Sequence, residues 1–553
     1  VMFALFIFAC GATHMVNILN VWYGAYWLSG TIKAITAVAS VGTAIVVWPL
    51  LPKALALPST SQLWELNQKL QAEVAENHRK QAKVEKLSAD LRALVDQRTA
   101  ELAEALNLDA DALDSDEGAA ILAGARAPDG AETLAQAYAG HQFGGFSPRL
   151  GDGRAILLGE VIDRDGNRRD LHLKGSGRTP FSRGGDGKAV LGPVLREFVI
   201  GEAMHALGIP TTRALSAVTT GETVWRESAK PGAVLARVAA SHLRVGTFQF
   251  FAARGERDRV RQLAEYAIAR HDPALAGTDD RYLGFLRAVI RRQAALIAQW
   301  MHVGFVHGVM NTDNMTISGE TIDYGPCAFI DTFDAKAVFS SIDHGGRYAY
   351  GKQPVIAQWN LARLAETLVP LLHEDQEEAV RLATEELEEF PEIYSAQWLD
   401  GARAKIGLTE GDDSDIGFVN ALYAAMSGQS VDHTLFFRHL PDAIAGDETV
   451  VTDLFDDASA IREWLPHWRE RLAREGRDPA DRRSAMAAVN PIYIPRNHKV
   501  EEALTAAETE GDMGPITRLL EVLRAPYQER AGLEDYARPA PRDFGPYKTF
   551  CGT

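Results

Sequence analysis

Two polar residues nine positions apart, Asn314 and Asp323, constrain this chain more than any other feature. The residues between them predict a tight hairpin that turns through Ser318-Gly-Glu. Such a hairpin would bring the two side chains together. An amide oxygen and a carboxylate are hard ligands that suit a Mg²⁺ ion bridging phosphates. Asp313 is then the remaining carboxylate, free to orient or deprotonate a hydroxyl nucleophile. The segment therefore predicts metal-assisted chemistry on a phosphate compound.

The spacing around this segment is that of a kinase, with one displacement. His307 precedes Asn314 by seven positions, and Asp323 opens the triplet Asp-Tyr-Gly. Protein kinases carry His-Arg-Asp-x-x-x-x-Asn, then a hairpin and Asp-Phe-Gly, with the same spacing from His to Asn. The position of the kinase aspartate is Val309 here, and the carboxylate occurs at Asp313 instead. Each triplet occurs by chance, but the ordered set predicts an α+β fold of the two-lobed protein-kinase type.

Glycine-rich segments upstream supply candidate phosphate-binding loops. The first is Gly151-Asp-Gly153-Arg154, which a β-rich run follows. Glycine lets the backbone approach phosphates, and Arg154 adds positive charge. A second loop, 175–188, is rich in glycine and cations and too long for a simple turn. Taken alone, the first segment could be an ordinary hairpin, whereas the second loop could wrap a triphosphate.

Four charged side chains could complete the nucleotide site. Lys174 ends the alternating segment 169–174, a predicted strand, which is where kinases carry a phosphate-binding Lys. Glu197, on a predicted helix, is the expected ion-pair partner of Lys174, and Glu202 is the alternative. Arg237 and Arg244 could clamp phosphates bidentately. Without the other motifs, all of these would pass for edge-strand or salt-bridge residues.

The composition excludes several classes of protein. The 553 residues are enough for three or four domains and include only three cysteines, so a disulfide scaffold is excluded. The chain has 57 Lys and Arg against 74 Asp and Glu, a net charge of −17. Because non-specific nucleic-acid binding depends on neutralising phosphates with cations, we expect no nucleic-acid partner.

The N-terminal segment has the composition of membrane helices. Residues 1–31 contain no Asp, Glu, Lys or Arg, and 34–51 are again free of charge after Lys33. Both stretches reach or approach the length that spans a bilayer, about 20 residues. We predict two membrane helices within 1–52, and the alternative is a buried hairpin of a soluble domain. The chain begins with Val1, so we expect a fragment of a longer reading frame or a misjoined one.

A heptad pattern follows the apolar segment. Apolar residues recur at seven-residue spacing from Leu63 to Leu94, although the middle two layers are polar. This pattern predicts a short dimeric coiled coil, and a solvated linker helix is the alternative. The composition changes near Leu106, where an acidic patch and then a glycine-rich sequence begin.

The first 100 residues resemble the membrane sensor and signalling helix of ethylene-receptor-type bacterial histidine kinases. The resemblance rests on Phe8-Ala-Cys10-Gly-Ala-Thr-His14, the aromatic residues that follow, and the sequence from Lys33. It implies that Cys10 and His14 bind copper(I). A packed Cys10 and a helix–helix hydrogen bond by His14 are the alternative.

Residues of about 105–553 resemble the SelO family of kinase-like proteins, called YdiU in bacteria. The supporting motifs lie at 137–145, 150–155, 173–183, 307–315, 323–326 and 547–553. The resemblance implies that ATP binds in a flipped orientation and that AMP is transferred to Ser, Thr or Tyr hydroxyls of target proteins.

The SelO resemblance also assigns roles to individual residues. Asp313 would be the proton acceptor, and Asn314 with Asp323 the ligands of Mg²⁺ or Mn²⁺. Cys551 matches a near-terminal Cys that in many members can pair with a Cys of the activation segment. That second Cys is absent here, and Cys327 is either its substitute or a buried structural thiol. The residues that would bind the nucleotide are Gly151, Gly153, Arg154, Lys174, Asp186, Gly187, Arg237 and Arg244.

We therefore expect five parts along the chain. These are a membrane hairpin (1–57), a coiled-coil or signalling helix (58–105), an N-lobe (106–240), a C-lobe with the catalytic segment (241–470) and a C-terminal helical extension (471–553). If the N-terminus is genuine, the enzyme is membrane-anchored with its catalytic part in the cytoplasm; otherwise it is cytoplasmic. Conventional phosphotransfer and ATP binding without chemistry remain the alternative functions.

Overall fold

The computed structural model describes residues 2–24, 26–47, 68–69, 71 and 99–550 of the chain. The chain divides into two compact units between Glu85 and Lys86. Most of the coiled coil predicted over 58–105 lies outside the described residues, and so does Cys551. The described residues of that segment, namely 68–69, 71 and 99–105, are helical.

In the described part of the N-terminal unit, two long helices stand out, α1 (Met2–Tyr23) and α2 (Tyr26–Val47). Gly24 lies between them with a φ of 62°, which glycine adopts readily. The hydroxyl groups of Thr13 and Thr36 are 2.8 Å apart and join the helices by a hydrogen bond. The described residues of the two predicted apolar spans are therefore helical, except for Gly24.

One of these segments, Tyr26–Val46, is long and apolar enough to cross a membrane, and it is the only such segment among the described residues. Cys10 is half-buried and His14 is exposed. No group of three or more His, Cys, Asp or Glu able to hold a metal occurs in the part of the chain that the structure describes. Copper binding by Cys10 and His14 stays a prediction.

Within the described residues, the larger unit contains a five-stranded antiparallel sheet and two two-stranded sheets, of which β1 and β2 form a hairpin. Its strands are β1 (Gly140–Gln142), β2 (Gly145–Ser147), β3 (Ala155–Ile162), β4 (Arg168–Lys174), β5 (Ala189–Val190), β6 (Arg213–Trp225), β7 (Ala229–Ala239), β8 (Phe305–Val306) and β9 (Ala328–Phe329).

In the five-stranded sheet, β7 pairs with β4 and β5 on one side and with β6 on the other, while β3 pairs with the free edge of β4. His172 lies opposite Arg237 in this register, and Lys174 lies two residues farther along β4. Because alternate residues of a strand share a face, the three side chains project from the same side of the sheet.

Helices make up most of the remaining chain. They are α3 (Ala110–Leu113), α4 (Asp116–Leu122), α5 (Leu191–Ala206), α6 (Val245–Ala252), α7 (Arg257–His271), α8 (Arg281–Val303), α9 (Gln353–Leu372), α10 (Gln376–Glu388), α11 (Phe390–Lys405), α12 (Asp415–Met426), α13 (His433–His439), α14 (Thr449–Thr452), α15 (Ser459–Ala473), α16 (Pro479–Val489), α17 (Asn497–Thr505), α18 (Gly514–Leu523) and α19 (Glu534–Ala537).

Helix α5 lies directly after β5 and is buried over most of its length, Glu197 included. Its apolar side chains share a core cluster with residues of β7 and α8. A second cluster on the sheet contains Ala103 and Leu106, so the helical residues 99–105 pack with the sheet. The buried setting of α5 is what holds Glu197 against the strands.

The catalytic segment predicted from sequence lies between β8 and β9, which pair with Phe305 opposite Phe329. Helix α8 leads into it and ends at Gly304, whose φ of 72° is the left-handed conformation common at helix C-termini. Both short strands are fully buried, so the loop between them starts and ends at fixed points.

The hairpin expected between Asn314 and Asp323 differs in its pairing. The turn is present, and the Thr316 hydroxyl closes it by donating to Glu320 O at 2.7 Å. Its two arms, however, do not pair with each other: Thr316 bridges to Arg244, and Thr321 bridges to Thr211. Neighbouring chain segments therefore fix the positions of both arms.

Candidate active site

The predicted site residues converge on one cavity of about 610 Å³. All of them except Glu197 line it: Gly151, Gly153, Arg154, Lys174, Asp186, Gly187, Arg237, Arg244, Asp313, Asn314 and Asp323. Residues that are far apart in the sequence and were predicted to act together thus surround one space.

Asp323 is the centre of a cluster of positive charges. Lys174 Nζ lies 2.6 Å and Arg237 Nη1 2.8 Å from its Oδ1, while Arg244 Nη1 lies 2.5 Å from its Oδ2. Burial opposes ionisation, but Lys174, Arg244 and Arg237 together hold the pKa of Asp323 well below its usual range. Asp323 also has a φ of 62°, a strained conformation for this residue that is often found at functional sites.

Glu197 supplies the second carboxylate of this cluster. Its two oxygens accept from Lys174 Nζ at 2.6 Å and from Arg237 Nη1 at 2.9 Å. Despite burial, these cations keep the pKa of Glu197 below its ordinary value. Glu202, the alternative considered from sequence, pairs instead with Arg213 at 2.8 Å.

Asp313 and Asn314 lie in a single 3-10 turn, Thr312–Asn314. The Asn314 side-chain amide donates to Val309 O at 2.9 Å through its nitrogen, so this contact does not use its oxygen. Asp313 is 6% exposed, and its Oδ2 accepts from Gln142 Nε2 at 3.1 Å. Burial raises the pKa of Asp313 to about 6, as suits a general base that works near neutral pH.

His307 is buried and plays a supporting part. Its Nε2 donates to Ile322 O at 2.9 Å, and its ring stacks on Trp300 with 5.5 Å between centroids. Burial lowers the pKa of His307, so the ring is neutral. His307 therefore ties the start of the catalytic segment to the residue before Asp323.

The glycines of the two loops allow close backbone approach. Gly151 has a φ of 78°, and a side chain there would meet the ring of Phe181. Gly187 has a φ of 71°, and a side chain there would meet the backbone of Gly177. Both substitutions would be strained: a side chain at Gly151 would push the two loops apart, and one at Gly187 would distort the loop 175–188 itself.

Several residues of the site were not predicted from sequence. Arg226 forms an ion pair with Asp186 at 2.8 Å, and this contact lowers the pKa of Asp186 to about 2. Asp152 Oδ2 accepts from His172 Nε2 at 3.1 Å. The guanidinium of Arg244 lies over the ring of Tyr138, 4.7 Å from its centroid. The local sequence gives no signal for these contacts beyond their proximity to predicted motifs.

Most of the chain matches one known protein family. The family described as "Protein adenylyltransferase SelO" matches residues 66–524. The chain belongs to the SelO family. The match begins ahead of the boundary near residue 105 that we expected, so it takes in part of the segment read as a coiled coil.

Relatives of the SelO region are named after an enzyme activity. A protein nucleotidyltransferase YdiU of Cereibacter sphaeroides is 61% identical over 454 residues, covering 82% of this chain and 92% of the relative. The YdiU protein of Chromobacterium violaceum is 59% identical over 456 residues, covering 82% and 95%. The SelO-family chain is therefore an enzyme, a nucleotidyltransferase, and its substrate is a nucleotide.

The N-terminal segment matches a different family. Residues 1–57 are similar to the family "Ethylene receptor 1-like, N-terminal domain". The resemblance seen in the sequence is thus found by comparison over the segment that contains α1 and α2.

Proposed function

We propose that this SelO-family enzyme transfers AMP from ATP to Ser, Thr or Tyr hydroxyls of target proteins, with Mg²⁺ or Mn²⁺ as cofactor. One observation carries the proposal: Asp313, a buried carboxylate with a raised pKa, lines the same cavity as Lys174, Arg237 and Arg244. A base for a hydroxyl and a cationic site for phosphates are the two requirements of this reaction.

The residues that line the cavity have separate roles in the proposed reaction. Lys174, Arg237 and Arg244 bind and orient the phosphates, and Asp313 accepts the proton of the acceptor hydroxyl. The hydroxyl oxygen then forms a bond to the α-phosphorus, the bond from the α-phosphorus to the oxygen that bridges to the β-phosphate breaks, and pyrophosphate leaves with that oxygen. The cations stabilise the charge that develops on the phosphates.

Asn314 and Asp323 fit a divalent cation. The fixed orientation of the Asn314 amide presents an oxygen, and Asp323 contributes an ionised carboxylate lining the same cavity. Mg²⁺ is commonly held by one or two protein oxygens together with substrate phosphates rather than by a full protein cage. Bound there, the ion would neutralise phosphate charge.

The same contacts support a two-lobed, kinase-like arrangement. The ion pair of Lys174 on β4 with Glu197 on α5 corresponds to the strand Lys and helix Glu of kinases. We place the N-lobe at 106–240, the C-lobe at 241–470 and the helical extension at 471–553. We further propose that the N-terminal helices tether the enzyme to a membrane, with the catalytic part in the cytoplasm.

ATP labelled separately at the α and γ phosphates tests the proposal. Incubation with a mixture of bacterial proteins should label protein from the α position only, and the Asp313→Asn variant should not label. Label from γ alone would show conventional phosphotransfer. ATP binding with no label from either position would show a nucleotide-binding protein without this activity.

A further inference from the structure

The hairpin formed by β1 and β2 is fixed to the segment that carries Asp313. His141 N donates to Thr312 Oγ1 at 2.7 Å, and Phe143 N donates to Asn311 Oδ1 at 3.3 Å. Between these two bonds, the Gln142 side chain donates to Asp313. Three successive hairpin residues thus hold three successive residues of the catalytic segment, 311–313, so the hairpin forms one wall beside the proposed base.

The turn of this hairpin displays an aromatic side chain in a strained conformation. Its two central residues, Phe143 and Gly144, have φ values of 52° and 87°. Two-residue turns with positive φ at both positions favour Asn-Gly, and a bulky residue at the first position is costly. Strained backbone conformations of this kind persist where the surrounding structure maintains them, and they cluster at active sites and ligand-binding sites.

The strained residue stands at the mouth of the cavity. Phe143 is 37% exposed and lines the cavity together with Asp313 and Ile342, which is 47% exposed. Phe146 is 43% exposed and packs beside His141, with ring centroids 4.8 Å apart. We call Phe143, Phe146 and Ile342 the apolar rim.

A positive charge lies next to the apolar rim. The guanidinium of Arg347 lies 4.7 Å from the ring centroid of Trp359, and it would be in van der Waals contact with a side chain at Gly144. Among the residues that the structure describes, the buried Nε of Arg347 has no hydrogen-bond partner. The neighbourhood of the turn therefore combines exposed apolar surface with a cation available to an incoming carboxylate.

We propose that the apolar rim is the docking surface for the acceptor protein. It would take an extended segment in which a bulky apolar residue neighbours the hydroxyl residue and a carboxylate reaches Arg347. The positive charges of Lys174, Arg237 and Arg244 attract the phosphates of the nucleotide. The acceptor hydroxyl, in contrast, must reach Asp313. During transfer, the acceptor protein is therefore the molecule that contacts the hairpin beside Asp313. This inference rests on the proposed AMP transfer.

The test uses a synthetic peptide library with one fixed Ser and varied neighbours, labelled from α-labelled ATP by the full chain. Wild type should prefer Leu or Phe beside the Ser and Asp or Glu farther out. Phe143→Asn, which tolerates positive φ, should keep or raise the Tm, leave the Kd of ATP unchanged and raise the KM of the preferred peptide about tenfold or more. Arg347→Gln should remove the preference for the acidic residue.

A matched control is Ile162→Ser, which changes an apolar side chain that is 53% exposed on β3 and does not line the cavity. It should leave the KM unchanged. A wild-type enzyme that labels peptides regardless of their neighbours, or a Phe143→Asn variant that keeps the apolar preference, overturns the docking surface alone. Failure of wild type to label any peptide or protein from the α position overturns the proposed function instead.

Discussion

Lys174 and Asp323, 149 positions apart in the sequence, are joined by an ion pair with 2.6 Å between Nζ and Oδ1. The same ammonium group pairs with Glu197 on α5. Lys174 therefore links the sheet, a buried helix and the loop after the catalytic turn. The contact fixes the relative positions of three elements that line or support the nucleotide cavity.

Removing the charge of Glu197 should destabilise the fold. Glu197→Gln leaves Lys174 and Arg237 buried with one carboxylate fewer, and breaking a buried pair costs about 3 kcal/mol. We expect a lower midpoint of urea unfolding in the absence of ATP. Glu222→Gln is the control, because its pair with Lys188 has a side-chain exposure of 54% on the Glu and should contribute little. Equal effects of the two substitutions would contradict a structural role for Glu197.

Asp313→Asn should slow transfer and spare nucleotide binding. The amide keeps the shape of the side chain but cannot accept the hydroxyl proton, and general-base catalysis typically contributes about 10²–10⁴-fold. We expect kcat to fall by at least about 100-fold, with an unchanged Kd for ATP in calorimetry. Asp165→Asn, at an exposed turn, is the control. A kcat within a few-fold of wild type would exclude Asp313 as the base.

Arg226→Gln should weaken ATP binding. Arg226 holds Asp186 through two hydrogen bonds, of 2.8 and 3.0 Å, and so orders the end of the loop 175–188. Without this anchor the loop must be ordered on binding, and a cost of about 1.4 kcal/mol corresponds to a tenfold weaker Kd. Calorimetry with ATP measures the change, with the exposed Arg164→Gln as control. An unchanged Kd would show that Arg226 does not organise the loop.

Lys405 should make the free energy of unfolding depend on pH between pH 7 and 10. Burial lowers the pKa of this lysine to about 7, and it is 4% exposed beside the ring of Phe437. In the unfolded chain its pKa is about 10.4, so between pH 7 and 10 the unfolded state binds more protons and stability rises with pH. Lys405→Met should remove this contribution and raise stability most at pH 7.

Urea unfolding of wild type and Lys405→Met at pH 7, 8 and 9 measures this effect. The difference in unfolding free energy should shrink by about 1.4 kcal/mol per pH unit as the pH rises. A difference that does not vary with pH would show that Lys405 is charged in the folded protein throughout.

The sequence was sufficient to predict residues whose spacing along the chain is diagnostic. Asn314, Asp323 and Lys174 were identified because their spacing and predicted elements match a known chemical arrangement, and the structure brings them to one cavity. The strand that ends at Lys174 follows from alternation of polar and apolar residues. Local sequence is enough for such features because backbone periodicity determines them.

Contacts between distant segments could not be predicted in the same way. Gln142 reaches Asp313 across 171 positions, and nothing in its neighbourhood indicates that partner. Helical periodicity alone did not decide between Glu197 and Glu202, because the choice depends on how α5 packs against the sheet. The arms of the 314–323 turn likewise pair with Arg244 and Thr211, which only the tertiary structure reveals.

The mass of the group attached to a modified acceptor hydroxyl tests the central claim most directly. Tryptic peptides from proteins incubated with the enzyme, ATP and Mg²⁺ should carry an adenylyl group on Ser, Thr or Tyr, and peptides from an Asp313→Asn reaction should carry none. Peptides that gain only a phosphoryl group would contradict the account, because the enzyme would then transfer the γ phosphate.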